Sequence, residues 1–112
     1  MNREEMVKKI RANRFPRNNG AVLMCINLLN RHGYTALEQV KQGVQSWDVE
    51  KEEFLDGINF LSQAGYIETR SIEGKVPGAD LADYEYREIE VRVSERGIRL
   101  LQGSLSDECV EV

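Results

Sequence analysis

The apolar positions change period along the chain, and each change marks an element. Met6, Val7 and Ile10 fall at i, i+1 and i+4 and predict a short first helix with a narrow apolar stripe. Pro16 is expected to close it, because the residue before a proline avoids the helical region. Arg17-Asn18-Asn19-Gly20 then reads as a polar break in which either asparagine can cap the next helix. From Ala21 to Leu29 the apolar residues cover nearly the whole helical surface, which predicts a buried central helix from about Gly20 to Arg31, ended by His32-Gly33. Thr35-Ala36-Leu37-Glu38 fits a capping box ahead of a short helix to about Gln42 that buries Leu37 and Val40. Asp48 is the expected cap of a third helix running to about Ala64, with Phe54, Leu55, Ile58 and Leu61 as its inward stripe.

At Tyr66 the pattern turns from helical to extended. Tyr66 to Ile72 is rich in strand formers, and Tyr84 to Val93 alternates so that Ile89, Val91 and Val93 share a buried face. Between them, residues 73–83 hold Gly74, Pro77 and Gly78 and are expected to be the most mobile internal stretch. Ser94 caps a last short helix from Glu95 to Gln102, and residues 104–112 read as a frayed acidic tail. The expected core is Val22, Leu23, Ile26, Leu29, Leu37, Val40, Phe54, Ile58, Leu61, Ile67, Ile89, Val91 and Ile98.

With 112 residues the chain suits one domain, read as a basic N-terminal arm (1–17), a central domain (18–103) and the acidic tail (104–112). No apolar run approaches the ~20 residues that cross a bilayer, and no apolar leader opens the chain, so a cytoplasmic protein is expected. Cys25 and Cys109 have no second cysteine or histidine at ligand spacing, so neither a metal nor a cofactor is expected. Catalysis is not expected either. His32 is the single histidine and sits where it would favour a helix C-terminus. Ser46, Ser62 and Ser94 lack a partnered base, and Gly74 to Gly78 is a hairpin tip rather than a phosphate loop.

The wording of two segments is more specific. Leu55 to Arg70, LDGINFLSQAGYIETR, resembles the end of the third helix and the first wing strand of winged helix-turn-helix regulators. Val91 to Gly103, VRVSERGIRLLQG, resembles their second wing strand and closing helix, with Ser94 opening that helix and Gly97 three residues on. The resemblance covers about residues 19–103 and is nearest to the small single-domain winged-helix proteins of bacterial prophages. It implies an α+β winged-helix fold with a three-helix core, a two-stranded antiparallel wing and extra terminal helices. It further implies a DNA-binding transcriptional regulator whose third helix enters the major groove of double-stranded DNA. Homodimerisation through a terminal helix is expected with it, by Met6, Val7 and Ile10 at one end or Ile98 and Leu101 at the other.

Charge divides that expectation. Residues 1–17 carry Arg3, Lys8, Lys9, Arg11, Arg14 and Arg17 against only Glu4 and Glu5, whereas the rest of the chain is acidic. Lys8, Lys9, Arg11, Arg14 and Arg17 are therefore candidate phosphate contacts, Arg70 and Lys75 the wing's candidates, and Asn59 and Gln63 the candidate base readers. The outward face of the third helix, however, carries Glu52, Glu53 and Asp56, which repel phosphates. The alternative is a winged-helix protein-interaction module that docks a basic partner on those three acids and binds no DNA. Arg70 and Arg87 then serve only as cross-strand partners of Glu85 and Glu73.

Overall fold

Pro16 does not end the first helix. The computed structural model describes all 112 residues, and in it helix α1 runs unbroken from Arg3 to Leu29. Asn2 caps it, its Oδ1 accepting from the Glu5 amide at 2.8 Å, and Glu4 and Glu5 lie in the first turn, where the helix dipole favours acids. The rule broken at Pro16 is local, and tertiary contacts on both sides of the proline override it. Phe15 meets Phe60 edge-on, with ring centroids 5.3 Å apart. Arg14 and Arg17 donate to the carbonyls of Asp48 and Trp47 at 2.5 and 2.7 Å. The expected boundary between residues 17 and 18 thus falls inside one helix.

Asn18 and Asn19 are accordingly not caps; both are buried in mid-helix and bridge to other elements. The Asn18 amide donates to Glu53 Oε2 at 2.7 Å and the Asn19 amide to the Cys109 carbonyl at 3.0 Å. At the far end Asn30 closes the helix, not His32 or Gly33. Its backbone N–H bonds to the Ile26 carbonyl and its side chain to the Tyr34 carbonyl.

Strand β1 is the two-residue Thr35–Ala36, so Thr35 is spent in a sheet and not in a capping box. Helix α2 (Leu37–Gln45) follows directly, and helix α3 spans Lys51–Gln63. Asp48 does not cap α3. It takes a positive φ of 64° in the turn, and the cap is Glu50, whose amide donates to Glu53 Oε1 at 3.2 Å. Strand β2 (Ile67–Ser71), a 3-10 turn (Tyr86–Glu88), strand β3 (Ile89–Val93) and helix α4 (Glu95–Leu101) complete the chain. The second predicted strand is therefore half its expected length. Ser94 caps α4 as expected, accepting from the Gly97 amide at 3.1 Å.

The molecule is an α+β protein in which four helices accompany one three-stranded antiparallel sheet of order β1-β3-β2. In register, Thr69 faces Val91 across β2 and β3, and Thr35 faces the same Val91 from the other side. This puts Ile67, Thr69, Ile89 and Val91 on the inner face, against Val22, Leu23 and Ile26 of α1, Leu37 and Val40 of α2, and Phe54, Ile58 and Leu61 of α3. Leu29 is 48% exposed, contrary to expectation, because the helix ends there and its last turn clears the body. Ile98 is half-buried, and Leu100 takes the core position of α4.

Part of the stretch after β2 folds back onto that strand. Ser71 accepts a bond at its Oγ from the Val76 amide and donates from its own amide to the Val76 carbonyl, both at 2.9 Å. The Gly78 amide donates to the Thr69 carbonyl at 2.8 Å, and Thr69 Oγ1 to the Ala79 carbonyl at 2.7 Å. The tail is seated as well. Val110 is buried, the Glu111 amide donates to the Pro16 carbonyl at 2.9 Å, and Tyr66 donates its hydroxyl to Asp107 at 2.6 Å. Gly20 makes room for it: a Cβ there would overlap the Glu111 carbonyl oxygen. No helix is long and apolar enough to cross a membrane.

Candidate interaction surface

The roughly 100° turn between successive helical residues separates the acids of α3 into two roles. Glu53 turns inward and is 9% exposed. It accepts from Asn18 and from the Glu50 amide, and it pairs with Arg14 at 3.3 Å. Glu53 is thus held in internal bonds, whereas the expectation placed it outward beside Glu52 and Asp56. Glu52 and Asp56 lie outward and exposed, as does Asn59 one turn on and Gln63 at the helix end.

The same separation runs through the candidate cations. Arg14 and Arg17 are committed to the turn that joins α2 to α3, where they donate to the Asp48 and Trp47 carbonyls. Arg70 and Lys75 both bond Glu90 Oε1, at 2.5 and 2.7 Å. Burial alone would raise the pKa of Glu90, but the Lys75 and Arg70 bonds outweigh it and hold the carboxyl below its usual range. Arg70 therefore pairs with Glu90, directly opposite it in the ladder, and not with Glu85. Arg87 approaches Glu38 of α2 at 3.7 Å and not Glu73. The remaining candidates, Lys8, Lys9 and Arg11, are exposed on the N-terminal half of α1 and make no ion pair within the chain.

Two aromatic positions that sequence reasoning passed over organise the exposed surface. Tyr34 lies against the sheet with Arg70 3.7 Å and Arg92 4.8 Å from its ring centroid, and Arg92 is itself paired with Glu68 at 2.6 Å. Tyr86 has Lys41, Lys51 and Arg87 around its ring at 5.6, 5.7 and 5.6 Å. The Arg87 guanidinium, donating to the phenol oxygen at 3.3 Å, holds the Tyr86 hydroxyl below its usual pKa. No spacing rule announces either cluster, since each joins residues from three elements.

Between α3 and the segment that precedes β3 runs a groove of about 630 Å³. Leu55 of α3 and Leu81, Tyr84 and Tyr86 of that segment supply its apolar lining. Glu52, Asp56 and Glu85 supply its acidic wall, with Asn59, Lys51 and Arg87 completing it. On the other side of Glu52 and Asp56 a smaller cleft separates them from Arg11, Ala12 and Phe15 of α1. The two acids thus form a ridge between two depressions. No cluster of histidine, cysteine or carboxylate side chains has the geometry to hold a metal ion. His32 is exposed in the turn after α1, beside Glu68, Arg92 and Glu95. No protein-family model, curated protein or solved structure matches this chain.

Proposed function

We propose that this chain is a winged-helix domain that acts as a protein-interaction module, docking a basic, amphipathic segment of another protein between α3 and the wing. The order helix, short strand, helix, helix, hairpin, with the first strand joining the sheet beside the last, supports the winged-helix reading. A fold of this kind hosts many activities, so the activity is argued from the surface. The observation that carries it is the groove itself: leucine and tyrosine side chains in the lining and Glu52, Asp56 and Glu85 in the wall. A helix bearing cationic and apolar residues at alternate turns satisfies both features at once. The same carboxylates oppose entry of α3 into a DNA groove, and Arg14, Arg17, Arg70 and Lys75 are held in internal bonds.

A second reading keeps DNA as the partner of the arm. It is favoured by Lys8, Lys9 and Arg11, which are exposed and unpaired. One salt titration separates the two, using a labelled lysine-rich amphipathic peptide and a labelled duplex as probes. On the interaction-module reading the peptide binds, Glu52→Lys/Asp56→Lys abolishes that binding, and the wild type leaves the duplex free at low salt. Duplex binding by the wild type, with a salt slope that falls by about 1 for each arm cation removed, would put the DNA reading in its place.

A further inference from the structure

The groove on α3 does not stop at the wing. A second depression, of about 350 Å³, adjoins it, and the Tyr84 and Arg87 side chains line both. Its other walls are Ser71, Ile72 and Glu73 at the end of β2, and Glu88. The backbone brings these segments side by side. The Ile72 amide donates to the Glu88 carbonyl at 2.8 Å, one step past the β2–β3 ladder, so the turn after β2 runs beside the 3-10 turn that walls the groove.

Strand alternation decides which way Ile72 points. Ile67, Thr69 and Ser71 are buried, so Glu68, Arg70 and Ile72 share the outward face. Ile72 is the one apolar side chain of those three, and it is 37% exposed. A single exposed isoleucine means little by itself. This one stands in a depression with the Tyr84 ring, between the acids Glu73 and Glu88. The groove on α3 repeats the same pairing of features, with Leu55 and Tyr84 in the lining and Glu52, Asp56 and Glu85 in the wall. The cations along this channel are Lys51 and Arg87, and Arg87 leans away toward Glu38 at 3.7 Å. Charge therefore favours a cationic occupant along its whole course. We infer that the second depression is a subsite continuous with the groove, and that it takes a second apolar anchor of the same basic amphipathic segment, seated beside Ile72 and Tyr84 with a cation against Glu73. This inference rests on the groove being a docking site, and it adds the pattern of the partner: two apolar anchors, each flanked by lysine or arginine, set two or more helical turns apart.

Isothermal titration calorimetry on the full chain tests this with lysine-rich helical peptides of equal length and charge. One peptide carries a single leucine anchor. The others carry a second leucine, in place of serine, two, three or four turns further on. At the best spacing the second leucine should tighten binding to the wild type roughly tenfold or more. It should also shift the Ile72 δ1 methyl resonance, which the single-anchor peptide leaves in place. Ile72→Asn, at an exposed position and with its fold confirmed by far-UV circular dichroism, should bind both kinds of peptide equally, each as the wild type binds the single-anchor one. Glu73→Gln should weaken the two-anchor peptide alone. A second leucine that adds nothing at any spacing overturns the subsite, as does an advantage that Ile72→Asn leaves intact. In both cases binding of the single-anchor peptide leaves the groove itself standing. If no peptide binds, the groove reading falls and takes the subsite with it.

Discussion

At the scale of single residues, the buried seam between α1 and α3 depends on one carboxylate. Glu53 holds Asn18, Arg14 and the start of its own helix together. Removing it leaves the Asn18 amide without a partner in the interior and frees Arg14. Because the Arg14 side chain is 32% exposed and can reach water, Glu53→Ala should cost about 1–3 kcal/mol, read from the urea midpoint at constant m-value. Glu52→Ala, one position earlier and exposed, should leave the midpoint nearly unmoved. Binary patterning cannot separate these two neighbours, because it assigns every carboxylate to solvent. The same blindness places Asn18 and Asn19 at a cap when both are buried, and it treats Arg14, Arg17, Arg70 and Lys75 as free cations when each has an internal partner. What a side chain bonds to at long range is set by the fold, and the local pattern carries no record of it.

At the scale of elements, helices and strands are legible wherever period and packing agree. The stripe of α3, the capping of α4 by Ser94 and the inward faces of β2 and β3 all follow from spacing alone. Where a local signal competes with tertiary contact, tertiary contact prevails. Pro16 is carried within α1, Thr35 pairs with Val91 in a sheet, and the Gly-Pro-rich stretch after β2 doubles back to bond Thr69 and Ser71. That stretch makes a measurable difference in hydrogen exchange. The Val76 and Gly78 amides, held by Ser71 Oγ and the Thr69 carbonyl, should exchange markedly more slowly than the exposed amides of Gly74 and Lys75 beside them. Uniformly fast exchange from 73 to 79 would mean that the fold-back is not maintained in solution.

At the scale of the whole molecule, shape and the seated tail matter most. The molecule extends 48 × 32 × 24 Å, and its radius of gyration of 13.9 Å exceeds the roughly 13.2 Å of an equally long compact chain. A 27-residue helix is about 40 Å long, and its N-terminal turns extend beyond the body it helps to build. The tail packs across the middle of that helix through Cys109 and Glu111, and it is tied to Tyr66 by Asp107, whose carboxyl is held below its usual pKa by the Tyr66 hydroxyl and then by the Cys109 amide. A depressed folded-state pKa contributes stability that is present above the unfolded value of 3.8 and is lost as pH falls through the lower, folded value. The tail should therefore hold at neutral pH and loosen in the acid range below about 4, ahead of the core. Cys109, within the tail, is half-buried and Cys25 buried, so their labelling by a disulfide reagent active in acid reads the two events separately. Cys109 labelling that stays pH-independent down to global unfolding would show that Asp107 does not hold the tail.

The bond from Asn19 to the Cys109 carbonyl spans 90 residues, and it gives the assembly of this protein a direction in time. As the chain emerges from a ribosome, α1 appears first, with the Gly20 face shaped for the backbone of Glu111. All of α2, the sheet and α4 must then follow before Pro16 and Asn19 receive their last partners. Until residues 109–111 arrive, that patch of helix waits uncovered, beside a proline that already denies the helix one of its own hydrogen bonds. A later stretch thus completes an earlier one, and the middle of α1 is the part of this fold most dependent on residues 107–111 having been made.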